Sequence, residues 1–310
     1  MAKRKKRKKF NELLYFCLGL LVLLVGYFTT NSNNTSSSYE NNSTSSNNNE
    51  VLVYFIDVGQ ADAIYIKDGN SNMMIDAGNN ADGQLLVKYL QSLGVQEFKY
   101  VVGTHAHEDH IGGMDDIINN FKINNFYMPD AISTSKTFED VLDALDSKKV
   151  TFQTPKIGDK FMLENANFEV LSIGTDTSDL NDTSLVLKMT YNTTCVLFMG
   201  DASSNVEKNL LDKDINCQVL KVGHHGSRYS SSDEFIKKVS PTYGIIMVGK
   251  DNKYGHPTKK TLDILEKYQV NIHRTDEEGT ILMHLKGHDI SFESFKTETN
   301  GWLWSTVLMK

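Results

Sequence analysis

The chain has 310 residues, 40% of them hydrophobic and 23% charged, with a net charge of −7. Seven of its 32 basic residues and three of its 39 acidic ones precede Val51, so the remainder carries 25 basic and 36 acidic residues, a net charge of −11. That balance argues against a domain that grips a long duplex by a basic stripe, because such affinity comes from phosphate neutralisation. Three cysteines are too few for a disulfide scaffold, and the 260 residues after position 50 are enough for one large core.

Residues 1–12 are a basic segment, with Lys3, Arg4, Lys5, Lys6, Arg7, Lys8 and Lys9 in succession. An apolar run without charge follows from Leu13 to Phe28. Its 16 residues are short of the ~20 that span a bilayer, but Thr29, Thr30 and snorkelling lysines extend it, so residues 13–30 are read as a transmembrane signal anchor. The positive-inside tendency places the N-terminus in the cytoplasm and the rest outside a cell membrane crossed once. A cleaved signal peptide is the alternative, although no small-x-small cleavage site follows. From Asn31 to Glu50, 17 of 20 residues are Asn, Ser or Thr, which cannot bury a core and reads as a disordered tether.

Residues 51–295 read as the folded domain. Val51–Asp57, Ala63–Lys67 and Met73–Asp76 have strand character between glycine-containing turns. Leu85, Leu86, Tyr89, Leu90 and Leu93 form a helical stripe, as do Phe138, Val141, Leu142 and Leu145. Strand patterns recur at Tyr100–Val102, Phe168–Leu171, Ser184–Met189, Thr194–Met199 and Tyr243–Val248, and Leu262, Leu265 and Tyr268 mark a helix after Pro257. Composition and order alone support a mixed α and β domain. Residues 296–310 are a C-terminal extension in which Trp302 and Trp304 read as a last packed strand or a membrane-interface contact. Cys195 and Cys217, each in an apolar context, read as buried free thiols, with a disulfide between them as the alternative in an oxidising exterior.

The chemistry concentrates in Thr104-His105-Ala106-His107-Glu108-Asp109-His110-Ile111-Gly112-Gly113, directly after the strand-like Tyr100–Val102. Imidazoles two residues apart in extended backbone face the same side, so His105 and His107 can share one divalent ion while Asp109 and His110 reach a second. Two ions about 3.5–4 Å apart can hold a bridging hydroxide and stabilise the attacking and leaving oxygens of a displacement. Six of the nine histidines lie in this cluster, in Lys221-Val222-Gly223-His224-His225-Gly226-Ser227 and in Tyr254-Gly255-His256-Pro257. Asp201 ends the apolar run Cys195–Met199 after Gly200 and reads as a further ligand or as the cap of a following helix. His224 and His256 read as reacting groups or as hydrogen-bonding scaffold.

These motifs resemble the metallo-β-lactamase superfamily. More narrowly, Phe55 to Ala63, Asn181 to Leu187 and Tyr254 to Pro257 are similar to the C-terminal hydrolase domain of the competence protein ComEC, the matches running in order from about residue 51 to about 285. The resemblance implies a four-layer αββα sandwich and a ligand set of His105, His107, Asp109, His110, bridging Asp201 and His225. It implies two divalent ions, zinc favoured by the donor set and manganese possible. His224 or His256 would then act on the phosphoryl oxygen or the leaving group beside Asp109, Ser227 and Asn181 would contact substrate, and Asp57 and Asp76 would support the ligands from behind. One departure is visible: a Gly-His-Thr element that supplies another ligand in many members is replaced by Asn181–Ser184.

The implied activity is that of a membrane-anchored extracellular hydrolase, favouring phosphodiesters of single-stranded nucleic acid or of an envelope polymer, in a setting of competence and DNA uptake. Alternatives are a cell-wall phosphorylcholine esterase, a lactone or β-lactam hydrolase, and a non-catalytic partner of a separate channel protein.

Overall fold

A computed structural model of the chain describes residues 50–131, 133–174 and 178–296. The expected basic segment, anchor and tether before Glu50, and Trp302 and Trp304, lie outside the described residues. Among the described residues no helix is long and apolar enough to cross a membrane.

Among the described residues, seventeen strands form two large sheets and one small pair. They are β1 (Glu50–Phe55), β2 (Ile64–Asp68), β3 (Ser71–Ile75), β4 (Glu97–Phe98), β5 (Tyr100–Val102), β6 (Lys122–Ile123), β7 (Phe126–Tyr127), β8 (Phe152–Gln153) and β9 (Lys160–Met162). The chain continues through β10 (Asn167–Ser172), β11 (Val186–Tyr191), β12 (Thr194–Phe198), β13 (Val219–Lys221), β14 (Tyr243–Ile246), β15 (Asn271–Arg274), β16 (Thr280–Lys286) and β17 (Asp289–Phe295). The first sheet runs β17-β16-β1-β2-β3-β5-β7-β8 and the second β15-β14-β13-β12-β11-β10-β9, with β4 and β6 paired separately.

Period-two alternation sorts the side chains between layers. Val53 and Phe55 enter the core between the sheets, where Phe55 lies 6.5 Å from Phe198, whereas Tyr54 and Ile56 enter the core on the opposite face. In β12, Val196 and Phe198 face the intersheet core, and Cys195 and Leu197 face the outer one. Helices Gly83–Ser92, Met114–Asn120 and Lys136–Lys148 cover the first sheet through Leu86, Leu90, Ile117, Val141 and Leu145. Helices Ser204–Lys208, Asp233–Val239 and Lys259–Lys267 cover the second through Val206, Phe235, Ile236 and Leu265. The order is helix, sheet, sheet, helix.

Three details depart from or add to the sequence reading. Cys195 and Cys217 are joined as a disulfide with Cα atoms 4.8 Å apart, so they are not free thiols. The antiparallel pair β16 and β17, which the sequence reading leaves unassigned, extends the first sheet beyond β1. Glu50 already pairs with Lys286 and accepts from His284, so the first strand starts one residue before the expected boundary.

The topology also positions the site. β3, β5 and β7 run parallel in one sheet, and β12, β13 and β14 run parallel in the other. The loops leaving β3, β5, β12 and β13 carry Asp76, His105 to His110, Asp201, and His224 with His225.

Candidate metal centre

Asp109, His110, Asp201 and His225 each offer one ligand atom, all within 4.8 Å of one another. His110 Nε2 is 3.2 Å from Asp201 Oδ1, and His225 Nε2 is 3.4 Å from Asp109 Oδ2 and 3.7 Å from Asp201 Oδ2. Behind them, partners fix the rings. His225 Nδ1–H donates to the Met247 carbonyl at 2.8 Å, which leaves the Nε2 lone pair facing the cluster. His110 Nδ1 pairs with Asp76 Oδ2 at 2.8 Å, and Thr104 donates to Asp76 through both its amide and its hydroxyl at 2.7 Å.

Asp76, Gly200, His224 and His225 all have positive φ, a backbone region costly for the three that are not glycine. Such strain is held by the surrounding packing. In the loop from β5, Gly112 N donates to the Gly78 carbonyl and Gly113 N to the Ala77 carbonyl. A Cβ at Gly112 would collide with the backbone of Asn79 and Asn80, which is why glycine is required there.

The charges interlock. Burial alone would raise the Asp201 carboxyl, but the imidazoles of His110, His225 and His224 hold it well below the usual carboxylate range. Burial would lower His110, yet Asp201 and Asp76 hold it well above the ordinary histidine value. His105 is pushed well below that value by burial and by neighbouring His110. His256 is pushed down to about 4, first by burial and then by His224, so its ring is neutral near pH 7.

The cluster floors a cavity of 310 Å³ lined by Gln60, His107, Glu108, Asn181, Tyr254 and His256 along with Asp109, Asp201, His224 and His225. His105, fully buried, adjoins the lining His107, with Nε2 of the first 2.9 Å from Nδ1 of the second.

The profile of the metallo-beta-lactamase superfamily matches residues 56–250. The chain belongs to the metallo-beta-lactamase superfamily. Among curated relatives, ComE operon protein 3 of Bacillus subtilis is 29% identical over 80% of this chain and 36% of its own length. Competence protein ComA of Neisseria gonorrhoeae is 27% identical over 75% of this chain and 32% of its own. The chain thus spans about a third of the length of these relatives. A solved structure, the metallo-beta-lactamase fold protein YhfI from Bacillus subtilis, superimposes with a TM-score of 0.52 at 10% identity, covering 79% of this chain and 99% of that one, which shows a shared fold.

The donor set of this metallo-beta-lactamase domain fits divalent cations. His110 Nε2, His225 Nε2 and Asp201 Oδ1 are buried and make no hydrogen bond, although they converge on one point. Buried polar atoms are ordinarily satisfied, so their shared orphaning is the mark of ligands facing an ion. Asp62, Asp76 and His110 form a second group of close ligand atoms, and the His/Asp cluster as a whole is compatible with a dinuclear site. The segment Asn181–Ser184 does lie alongside: Ser184 Oγ accepts from Asp201 N, and the Asn181 side chain lines the cavity with its Oδ1 unpartnered.

Several expected roles shift. Asp201 caps no helix, since helix Ser204–Lys208 is capped by Ser203. Asp57 does not stand behind the ligands; its carboxylate accepts from Gly59 N, and it lines a separate cavity with Lys250 and Asp276. Ser227 does not line the histidine cavity: it is buried, and its Oγ accepts from Tyr229 N. His224 and His256 do line it, with ring centroids 5.7 Å apart and His224 Nε2 3.6 Å from Asp201 Oδ2.

Two residues that the sequence reading passed over stand behind the ligands instead. Asp62 and Lys221, 1% and 0% exposed, form an ion pair. Asp62 Oδ1 lies 3.4 Å from His225 Nδ1, and its Oδ2 lies 3.9 Å from His110 Nδ1. The available signal was a lysine inside Val219-Leu220-Lys221-Val222 and an aspartate between Ala61 and Ala63, each a lone charge in an apolar setting.

Proposed function

We propose that the chain is a metal-dependent phosphodiesterase acting on single-stranded nucleic acid. The observation that carries this reading is the convergence of four ligand side chains, three of them with orphaned buried atoms, on the floor of a polar, histidine-walled cavity. Two divalent ions, zinc favoured and manganese also suited to the donors, would supply Lewis acidity towards a phosphoryl oxygen and acidify water. Asp109, His110, Asp201 and His225 would hold one, with Asp201 shared, and His105 and His107 the other. Met247 and Asp76 keep the ligand rings in the required tautomers. His224 and His256, on the wall, orient the phosphodiester and meet the leaving oxygen, and the open Asn181 amide contacts the same group. Because its ring is neutral, His256 serves as a hydrogen-bonding group rather than as a pre-charged acid.

The relatives, a ComE operon protein and a competence protein, agree with the setting of competence and DNA uptake that the motif resemblance implies, which supports nucleic acid as the phosphodiester. With residues 13–30 as an anchor, the domain would work on the outer face of a membrane, beside a separate channel protein.

The full chain is assayed on bis-p-nitrophenyl phosphate, p-nitrophenyl phosphorylcholine and labelled single-stranded DNA with zinc or manganese, beside Asp109→Ala. The expected outcome is metal-dependent cleavage, strongest on DNA and reduced to background in the variant. Equal cleavage by Asp109→Ala removes the site assignment, and bound metal without cleavage of any phosphodiester favours the non-catalytic partner.

A further inference from the structure

Among the described residues, two aromatic side chains stand well exposed, Tyr229 at 67% and Tyr254 at 58%, and the second of them lines the histidine cavity. Tyr254 lines it, its ring 5.7 Å from that of His256 and inclined to it by only 24°. Tyr229 follows the His224–Ser227 turn. The two loops are joined: Thr258 N donates to the Gly226 carbonyl at 2.9 Å, and Lys260 Nζ to the Arg228 carbonyl at 3.0 Å.

A cation precedes each of these rings in the chain, Arg228 before Tyr229 and Lys253 before Tyr254. Arg228, Lys250 and Lys253 are exposed. Lys259 and Lys267 are taken up by Asp263 and Asp233, whereas Arg228, Lys250 and Lys253 enter no ion pair among the described residues. Lys253 Nζ lies 5.2 Å from the Tyr254 ring centroid. Aromatic rings left in water beside unpaired cations forgo burial and charge neutralisation, and a ligand with flat apolar faces and repeated anionic groups satisfies both.

We propose that Tyr254 and Tyr229, with Lys253 and Arg228, form a rim that stacks the bases and pairs the phosphates of a single strand next to the phosphodiester in the histidine cavity. This rests on the phosphodiesterase reading above. A duplex offers no free base faces to such rings. A choline-bearing polymer is disfavoured, because the rim cations repel a quaternary ammonium and Lys253 already stands against Tyr254.

The test is fluorescence anisotropy of the full chain with a labelled oligothymidylate of about twelve nucleotides, in chelator so that nothing is cleaved. Tyr254→Ala weakens binding on the order of tenfold, and Tyr254→Phe retains it. Lys253→Gln and Arg228→Gln each lower the slope of log affinity against log salt by about 0.7. Unchanged affinity in both Tyr254→Ala and Lys253→Gln overturns the proposal. So does phosphorylcholine binding that Tyr254→Ala abolishes while oligothymidylate binding stays intact. A separate arm measures wild-type hydrolysis of bis-p-nitrophenyl phosphate with added metal, a substrate too small to use the rim. Its absence alongside rim-dependent strand binding removes the phosphodiesterase reading and leaves the rim standing.

Discussion

Lys221 has no exposed surface, and its ammonium is paired with Asp62 directly behind His110 and His225. Removing one member of a buried pair strands the other charge, at a cost of about 3–5 kcal/mol, whereas removing both can be nearly neutral. Lys221→Met should therefore lower the unfolding free energy in urea by about 3–5 kcal/mol, measured in chelator, and Asp62→Asn added to it should recover much of the loss. A single variant as stable as the wild type would show that the pair does not carry that charge balance. His225 depends on its neighbours in another way, because the Met247 carbonyl is a main-chain group and its tautomer cannot be altered by substituting that side chain.

At the scale of elements, the centre is assembled by parallel strands that end together and by loops that lean on each other. The loop from β5 rests on the segment Ala77–Asn80 through Gly112 and Gly113, with no room for a side chain. Gly112→Ala forces that backbone apart, and because Ala77 N bonds to the His110 carbonyl the ligand moves with it. Isothermal titration with zinc should show at least about tenfold weaker binding, comparable to losing a supporting contact; unchanged affinity would show that the loops move independently. The sequence made the first cluster readable because His105 to His110 are contiguous and follow an apolar strand. Asp201 was readable because an apolar run of strand character hands it to a loop. Asp57 and Asp62 were not separable by pattern, since both follow β1, and it is long-range contacts, among them the bond from Asp62 N to the Asp109 carbonyl, that bring the second to the site. Ser227 was misplaced because the left-handed turn at His224 and His225 directs its hydroxyl back to Tyr229, a conformation that spacing does not encode. Strand β16 pairs with β1, a partner more than two hundred residues away, and β17 is added to the sheet through β16.

At the scale of the molecule, the residues after position 50 carry a net charge of −11 and enclose a cavity whose floor is rich in carboxylate and imidazole. Ions that bind the folded cluster and not the unfolded chain stabilise by mass action, about 2.7 kcal/mol at one hundred times the dissociation constant. For a domain of this size that is several degrees, at about 2–4 °C per kcal/mol. Thermal unfolding should therefore shift upward with zinc and return with chelator, and Asp109→Ala should blunt the shift; identical midpoints with and without metal would deny a site linked to the fold.

The most direct measurement is a titration of the chelator-treated full chain with zinc, and separately with manganese, following bound metal and the hydrolysis of bis-p-nitrophenyl phosphate together. Hydrolysis that is absent without metal and saturates as about two ions bind per chain is the predicted result. A rate indifferent to metal, or two bound ions with no hydrolysis, would contradict the assignment of the Asp109, His110, Asp201 and His225 cluster as the centre of a phosphodiesterase.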